Sequence, residues 1–237
     1  MHISALTIHQ DRFPAHDVYP FSVPSLAVTP RIDFIAPITF FIGENGSGKS
    51  TLLQAIARRC NIHIWQEMER GRFQYNRYEE RFCEYIEVAQ EKRMILGSFF
   101  SSDNFRHFTQ NLDEWASMDP GVLDYFGGKS LYTMSHGQSL ISFFRTRYAI
   151  EGLYLLDEPE TALSPRRLIE LLAIVRDMAT AGHAQFIIAT HSPLLLACPG
   201  AIIYNFDTVP VSSCSYEETD YFRVYKDFME HREKYLG

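Results

Sequence analysis

The sequence has little of what membrane, disulfide-linked or zinc-binding proteins need. Among its 237 residues no apolar run approaches the roughly 18 to 20 that a membrane helix requires, because PITFFIG and QFIIAT end at polar residues or glycine. The cysteines, Cys60, Cys83, Cys198 and Cys214, are far apart, which argues against a disulfide framework and a zinc site. The N-terminus lacks a basic segment followed by an apolar one, so we expect no secretory signal and a cytoplasmic protein.

Positive charge is also scarce. Lys and Arg number 22 and Asp and Glu number 29, so the formal net charge at pH 7 is −7. This charge opposes nonspecific attraction to nucleic-acid phosphates and does not support a nucleic-acid partner, although a local basic face would escape the count. With 46% hydrophobic and 22% charged residues, and with no repeat or long linker, residues 1–237 are predicted to form a single globular domain.

The order of apolar segments predicts an α/β fold. ISALTIH alternates like an edge strand, and PITFFI reads as a buried strand that precedes a Gly-rich loop and the helix pattern TLLQAIARR. The last third contains the strand patterns LYLLD, QFIIAT and AIIYNF and the helix pattern PRRLIELLAIVRDMAT, which follows Ser164. Such alternation is typical of a parallel central sheet flanked by helices.

Two further segments are predicted to be helical. Between about residues 62 and 130 aromatic and charged residues interleave, and Tyr78, Phe82, Tyr85 and Ile86 would share one helix face. We interpret this segment as a mostly helical insertion whose aromatic residues belong to the core. Residues 221–236 have apolar positions at helical spacing and predict an amphipathic helix.

The strongest chemical signal is a phosphate-binding loop between a predicted strand and a predicted helix. It matches GxxxxGK[ST] and consists of Gly43, Glu44, Asn45, Gly46, Ser47, Gly48, Lys49 and Ser50, with Thr51 following. Glycines let successive backbone N–H groups point at the phosphates, and the N-terminus of the following helix adds positive potential. Lys49 is predicted to reach the β- and γ-phosphates and Ser50 to bind Mg²⁺.

Two acids end the strand LYLLD, where a carboxylate would meet a metal at the carboxyl edge of the sheet. Asp157 is therefore a predicted Mg²⁺ ligand. Glu158 would lie on the opposite side of the pleat and act as the base for a water that attacks the γ-phosphate. His191, which follows the strand QFIIAT, is expected at the same edge, where an imidazole can hydrogen-bond the γ-phosphate and the attacking water.

A weaker motif, SHGQS, precedes a helix pattern that starts at Leu140. Ser135, His136, Gly137 and Gln138 would form a second anion site at a helix N-terminus. The motif lies too near the strand that carries Asp157 to reach the phosphates held by Lys49 of the same chain. We therefore expect it to bind a phosphate of another molecule.

Together, GENGSGKST, SHGQS, LLDEPETALSP and ATHSP resemble the ordered motifs of ATP-binding-cassette (ABC) ATPases. Within these P-loop NTPases the chain is similar to small stand-alone AAA-family ATPases of bacteria that are related to RecF-like and chromosome-maintenance (SMC-like) ATPases. The resemblance implies Gly43 to Thr51 as Walker A, Asp157 as the Walker B carboxylate, Glu158 as catalytic base, His191 as switch histidine and Ser135 to Ser139 as signature motif. It also implies ATP and Mg²⁺ as cofactors and an ATP-dependent homodimer.

The sequence departs from the family pattern in several places. The signature has Met134 and His136 where LSGGQ is usual, and TALS replaces the usual SALD after the Walker B acids. A Q-loop glutamine is not evident, so Asp103 or Asn104 is a candidate substitute. Tyr19 or Phe21 is a candidate for stacking on adenine, with a core role equally open.

Three functions remain open at this stage. The first is an ATP-hydrolysing switch that dimerises head to tail and acts on an unknown protein partner, with DNA metabolism or phage defence as candidate processes. The alternative is the nucleotide-binding subunit of a membrane transporter. A nucleotide-dependent DNA-binding module ranks lower, because long coiled-coil arms and a basic surplus are both missing.

Overall fold

A computed structural model describes residues 1–64, 76, 78, 80–92, 94–102, 116, 118, 121 and 136–237. The strands of this part are β1 Ile3–Ile8, β2 Arg31–Asp33, β3 Ile38–Ile42, β4 Ile86–Gln90, β5 Gly97–Ser101, β6 Gly152–Asp157, β7 Ala184–Ala189, β8 Ile202–Asn205 and β9 Ser212–Cys214. The α-helices are α1 Pro24–Val28, α2 Lys49–Arg59, α3 His136–Tyr148, α4 Pro165–Thr180, α5 Pro193–Leu196, α6 Asp220–Glu230 and α7 Glu233–Leu236. Within these residues no helix is both long enough and apolar enough to cross a membrane.

The predicted parallel sheet is present. Its strand order is β5-β6-β7-β3-β8-β9, and each neighbouring pair is parallel except β8 and β9. Every residue of β3 and of β7 is buried. These strands read as continuous apolar runs because helices cover both faces of the sheet.

Alternate residues of the central strands belong to two separate cores. In β3, Phe40 belongs to one core and Phe41 to the other, and β6 and β7 alternate in the same way. Leu140 and Phe144 of α3 pack with α4 on the first face, whereas Leu52 of α2 packs on the second. The sheet therefore separates α2, which follows the Gly-rich loop, from α3, which begins within the SHGQS motif.

The predicted position of β1 was wrong. Instead of an edge strand, β1 is the middle strand of an antiparallel sheet of order β2-β1-β4 among the described residues. Its second neighbour, β4, comes from a segment more than 75 residues away in sequence, as the pairing of Ile8 with Ile86 requires. Alternation in a single segment cannot indicate how many neighbours a strand has.

The interpretation of 62–130 as mostly helical needs correction where the structure describes it. Ile86–Gln90 and Gly97–Ser101 are strands, and Phe82–Tyr85 is a single 3₁₀ turn, so Phe82, Tyr85 and Ile86 do not share a helix face. Pairing with β1 and with β6 decided these conformations, because β-branched and aromatic residues adopt strands when a neighbouring strand is available. Phe82 and Ile86 are nevertheless buried in the core, as the aromatic pattern predicted.

The C-terminal amphipathic segment forms two helices instead of one. Helix α6 ends at Glu230, and His231 has φ −138° and ψ 50°, which breaks the predicted helix before α7. Tyr221 in the first turn of α6 contacts His191 and Gly43, whereas Val224, Tyr225 and Met229 are more than half exposed.

A buried glutamine joins the two sheets. Gln185 of β7 has no exposed surface, and its side-chain oxygen accepts hydrogen bonds from the backbone N–H groups of His2 (2.7 Å) and Ile3 (2.9 Å). Its amide nitrogen donates to the carbonyl of Ile3 at 2.9 Å. One side chain therefore satisfies three polar groups at the start of β1, which would otherwise be buried without partners.

We expect Gln185→Leu to lower the free energy of unfolding by about 2–4 kcal/mol, because it leaves these three backbone groups unpaired. Urea unfolding of the variant and the parent measures this difference. The control is Gln54→Leu on the half-buried surface of α2, for which we expect a change below about 1 kcal/mol. Equal effects of the two substitutions would contradict the role assigned to Gln185.

Candidate functional site

The site lies at the carboxyl edge of the central sheet. Ala189 at the end of β7 pairs with Phe41 of β3 on one side and with Asp157 of β6 on the other. The Gly-rich loop follows β3, Asp157 ends β6 with Glu158 next, and His191 lies two residues after β7, so these groups meet at one edge. The structure thus brings together the residues that the sequence predicted to meet.

The Gly-rich loop is packed too tightly for side chains at two of its glycines. Gly48, with φ +99°, precedes α2, and a Cβ there would lie 3.0–3.1 Å from the side chains of Leu26, Ser25 and Val23. At Gly43, with φ +140°, a Cβ would lie 2.9 Å from the Ser47 hydroxyl. The loop is therefore a backbone cradle at a helix N-terminus, and such a cradle fits an anionic polyphosphate.

Lys49 is held across this cradle. Its side chain is almost fully buried, and Nζ donates to the carbonyls of Gly43 (2.6 Å) and Glu44 (2.9 Å). Burial lowers the pKa of Lys49, while the carboxylates of Glu158, Asp207, Asp157 and Glu44 act in the opposite direction. Because ionised oxygens bind an ammonium more strongly than carbonyls do, Lys49 can exchange these partners for phosphate.

Ser50 and Asp157 form a hydroxyl–carboxylate pair, the kind of oxygen donor set that Mg²⁺ prefers. The Ser50 hydroxyl donates to Asp157 Oδ1 at 2.9 Å. The pKa of Asp157 is raised to about 6, mainly by burial; the Ser50 hydrogen bond opposes this shift, and the nearby Glu158 adds to it. A cation bound here would favour the ionised form of this carboxyl group.

Glu158 was predicted to continue the pleat of β6, and this prediction was wrong. Strand β6 ends at Asp157, and Glu158 is in the left-handed region with φ +47° and ψ 56°. Its backbone N–H donates to the carbonyl of Ala189 at 2.9 Å, which holds this conformation. An L-residue is rarely found there, and such strained conformations cluster at functional sites.

His191 lies between Glu158 and the C-terminal helix α6. Its Nε2 is 3.3 Å from Glu158 Oε1, which is ion-pair distance without hydrogen-bond geometry. Among the described residues Nε2 is buried and has no hydrogen-bond partner. On the other side of the ring, Nδ1 lies 2.7 Å from the hydroxyl of Tyr221, which donates to the carbonyl of Gly43 at 3.1 Å.

Sequence reasoning missed two residues of this site, Glu160 and Tyr221. The carboxylate of the half-buried Glu160 accepts hydrogen bonds from the Thr190 hydroxyl (2.8 Å) and the backbone N–H of His191. Burial raises its pKa, and these hydrogen bonds oppose the shift. The third acid of LLDEPE was a visible signal for Glu160. For Tyr221 the sequence offered only one aromatic residue within an amphipathic segment.

The signature motif is only partly described. Met134 and Ser135 lie outside the described residues, as do Asp103 and Asn104; α3 begins at His136. Gly137 is half-buried and Gln138 is exposed. The start of this helix lies on the opposite face of the sheet from α2, so the fold does not place it beside the Gly-rich loop of its own chain.

Of the two candidates for stacking on adenine, Phe21 is excluded. It is fully buried and packs against the rings of Phe13 and Tyr85, with centroids 4.7 and 5.0 Å away. Tyr19 is 40% exposed, and its hydroxyl lies 2.6 Å from Thr51 Oγ1. Tyr19 therefore presents a ring beside the first turn of α2, within the site.

Two family models match parts of the chain. Residues 130–197 match a model described as "AAA domain, putative AbiEii toxin, Type IV TA system", and residues 27–60 match one described as "AAA domain". A cytochrome c biogenesis ATP-binding export protein, CcmA, from Rickettsia typhi is 30% identical over 59% of this chain and 72% of its own length. A thiamine import ATP-binding protein, ThiQ, from a Ruegeria species is 24% identical over 64% and 69%, respectively.

Solved structures share the fold. A nucleotide-free ATP-binding cassette from an ABC transporter aligns over the full length of both chains with a TM-score of 0.55 and 14% identity. An SMC head bound to the C-terminal winged-helix domain of ScpA aligns over 92% of this chain and 99% of its own, with a TM-score of 0.53 and 13% identity. At these identities the likeness concerns the fold alone.

The raised pKa of Asp157 leads to a testable pH dependence of stability without metal and nucleotide. A carboxyl group whose pKa is raised on folding favours the folded state while it is protonated, and it destabilises the fold as the pH rises from about 4 through 6. Asp157→Asn keeps an oxygen acceptor for Ser50 and removes this titration. We therefore expect it to raise the free energy of unfolding by about 2 kcal/mol at pH 8.

The gain should shrink as the pH falls below 6 and vanish near pH 4, which urea unfolding in EDTA at several pH values measures. Asp177→Asn, at an exposed position on α4, is the control and should change stability by less than about 0.5 kcal/mol at every pH. A gain of the same size at pH 8 and pH 4 would show that ionisation of Asp157 is not its cause.

Proposed function

Because the chain belongs to the ABC-type P-loop ATPases, we propose that it binds and hydrolyses Mg-ATP and works as an ATP-driven, head-to-tail dimer that acts on a partner protein. The proposal rests on one observation: Lys49, Ser50, Asp157, Glu158 and His191 converge at the end of three adjacent strands. This arrangement supplies a phosphate cradle, an oxygen pair for a cation and a base.

Binding begins at the phosphate loop. Backbone N–H groups at the start of α2 receive phosphate oxygens, and the ammonium of Lys49 leaves the carbonyls of Gly43 and Glu44 for the β- and γ-phosphates. Ser50 and Asp157 would hold Mg²⁺, which neutralises charge on the phosphates when it is bound. Tyr19 is proposed to stack on the adenine.

In the proposed hydrolysis step a water oxygen attacks the γ-phosphorus, and the bond to the oxygen that bridges the β- and γ-phosphates breaks. The carboxylate of Glu158 accepts a proton from this water, and His191 lies 3.3 Å from that carboxylate. The products are ADP and inorganic phosphate. The strained backbone of Glu158, which Ala189 holds, fixes the direction of the base.

A second copy would complete the site. The start of α3 and the Gly-rich loop lie on opposite faces of the sheet, so the proposed signature residues, Ser135 to Gln138, would contact the ATP of a partner subunit. Two equivalent ATP molecules then lie in a symmetric interface. Hydrolysis removes the bridging γ-phosphate and releases the dimer, which makes the assembly a switch.

The phosphate-loop assignment predicts that Lys49→Ala weakens Mg-ATP binding by at least about 100-fold, because it removes the cation that faces the β- and γ-phosphates. Isothermal titration calorimetry measures the dissociation constant, and circular dichroism checks that the variant is folded. Lys92→Ala, which removes an exposed lysine paired with Glu151, is the control and should bind normally. An unchanged dissociation constant for Lys49→Ala would reject the assignment.

The composite site predicts that Glu158→Gln accumulates as a dimer with saturating Mg-ATP, because the substitution keeps the side-chain shape but removes the base. Ser135→Arg should bind ATP as a monomer and lose dimerisation and turnover. Size exclusion coupled to light scattering measures the mass, with Glu217→Gln on the surface as control. If Glu158→Gln stays monomeric, or if Ser135→Arg hydrolyses ATP at the parent rate, another protein completes the site.

The alternative function is the nucleotide-binding subunit of a membrane transporter. The names of the two similar proteins favour it, since one is an ATP-binding export protein and the other a thiamine import ATP-binding protein. Affinity purification from detergent-solubilised cells separates the two proposals. Stoichiometric recovery of an integral membrane protein supports the transporter, whereas recovery of soluble partners alone supports the switch.

A further inference from the structure

Tyr221 joins the C-terminal helix to two parts of the proposed ATPase site. Its hydroxyl lies 2.7 Å from His191 Nδ1 and 3.1 Å from the carbonyl oxygen of Gly43. The residue occupies the first turn of α6, where the Thr219 hydroxyl accepts the N–H of Phe222 and caps the helix. Tyr221 is therefore held by a capped helix, and its hydroxyl bridges the phosphate loop and the histidine.

The two contacts fix the direction of both hydrogen bonds. A carbonyl oxygen only accepts, so the single hydroxyl proton of Tyr221 must lie on the bond to Gly43. The tyrosine oxygen then accepts from His191, and Nδ1 of the imidazole has to carry a proton. In the opposite arrangement the oxygens of Tyr221 and Gly43 would face each other at 3.1 Å with no proton between them.

The tyrosine keeps the proton that this arrangement needs. Burial, followed by the carboxylates of Asp207 and Glu44, raises the pKa of Tyr221 to about 12, although the hydrogen bond to Gly43 opposes the shift. The hydroxyl is thus protonated at every pH at which the protein is expected to work. It can donate to Gly43 and accept from His191 throughout.

The carbonyl of Gly43 connects this network to the phosphate-binding lysine. It accepts from Lys49 Nζ at 2.6 Å and from Tyr221 at 3.1 Å, which uses both of its lone pairs. When Lys49 turns toward the phosphates, the hydroxyl of Tyr221 still donates to the carbonyl of Gly43. The hydrogen bond that orients His191 therefore persists when the lysine moves to ATP.

With Nδ1 bound to Tyr221, Nε2 is the nitrogen of His191 that faces Glu158. Nε2 is buried, has no hydrogen-bond partner among the described residues and lies 3.3 Å from Glu158 Oε1. The hydrogen bond at Nδ1 therefore sets which edge of the ring faces Glu158.

We propose that Tyr221 is a positioning residue that accepts a hydrogen bond from Nδ1 of His191 and thereby holds the imidazole with Nε2 beside Glu158. The inference rests on the proposed ATPase function and adds a specific role for each nitrogen of His191. It also makes the docking of α6 a condition for turnover, because Tyr221 reaches the histidine from that helix.

The first test needs no nucleotide. Nitrogen-15 NMR of histidine-labelled protein distinguishes the two neutral tautomers at alkaline pH, with the His191 signals assigned by their loss in His191→Gln. We expect the proton on Nδ1 in the parent protein and in Tyr225→Phe, and a mixture or the Nε2 form in Tyr221→Phe. A parent protein that carries the proton on Nε2 would overturn the proposal.

The second test is steady-state ATP hydrolysis. Tyr221→Phe keeps the ring and removes the hydroxyl, so we expect kcat to fall about tenfold while KM for ATP changes less than about twofold. Tyr225→Phe removes the hydroxyl of an exposed tyrosine in the same helix and should retain the parent kcat and KM. Urea unfolding of both variants separates a loss of positioning from a loss of stability.

Two outcomes of the kinetic test count against the proposal. One is an equal kcat for Tyr221→Phe and Tyr225→Phe. The other is a fall in the kcat of Tyr221→Phe that the loss of folded protein, measured by urea unfolding, fully accounts for. Failure of the proposed function appears differently, because a parent protein without ATPase activity leaves the tautomer measurement intact. The role of Tyr221 and the ATPase function are thus tested separately.

Discussion

The position of β7 between β3 and β6 is the constraint on which the site depends. Ala189 pairs with Phe41 on one side and with Asp157 on the other, so the segments that follow these three strands start at the same level of the sheet. The hydrogen bond from the Ser50 hydroxyl to Asp157 and the contact of His191 with Glu158 both follow from this register. A shift of one residue would turn every side chain of a strand to the other face and separate these groups.

The charged groups of the site, in the protein without nucleotide, show why it suits a polyphosphate and a cation. Burial raises the pKa of Asp157 and lowers that of Lys49, so each charge is held in surroundings that favour its neutral form. The lysine satisfies its donors on backbone carbonyls and Asp157 on one hydroxyl. Phosphate oxygens and a divalent cation offer stronger charged partners to the same groups.

The two-sided core has a consequence for assembly. Because alternate residues of β3, β6 and β7 face different cores, α2 and α3 are fixed on opposite sides of one sheet. This separation underlies the proposal that the signature motif serves another copy. Helix α6 adds a third element, since Tyr221 reaches both the Gly-rich loop and the histidine.

The sequence by itself determined the position of the Gly-rich loop and the strands and helices of the parallel sheet. The Gly-rich loop, the buried strands β3, β6 and β7 and the helix after Ser164 are visible because glycine spacing and apolar periodicity are properties of short segments. Because parallel strands end at one edge, Asp157 and His191 were also expected near Lys49. These predictions needed no knowledge of distant contacts.

Only the tertiary structure decided which distant segments pair. It placed β4 and β5 beside β1 and β6, buried Phe21, turned Glu158 out of the pleat and brought Glu160 and Tyr221 to His191. A strand's neighbours, a ring's burial and the partner of an imidazole are set by residues tens to hundreds of positions away. Local pattern carries no record of such contacts, because the free energy that selects them comes from packing and hydrogen bonding between distant segments.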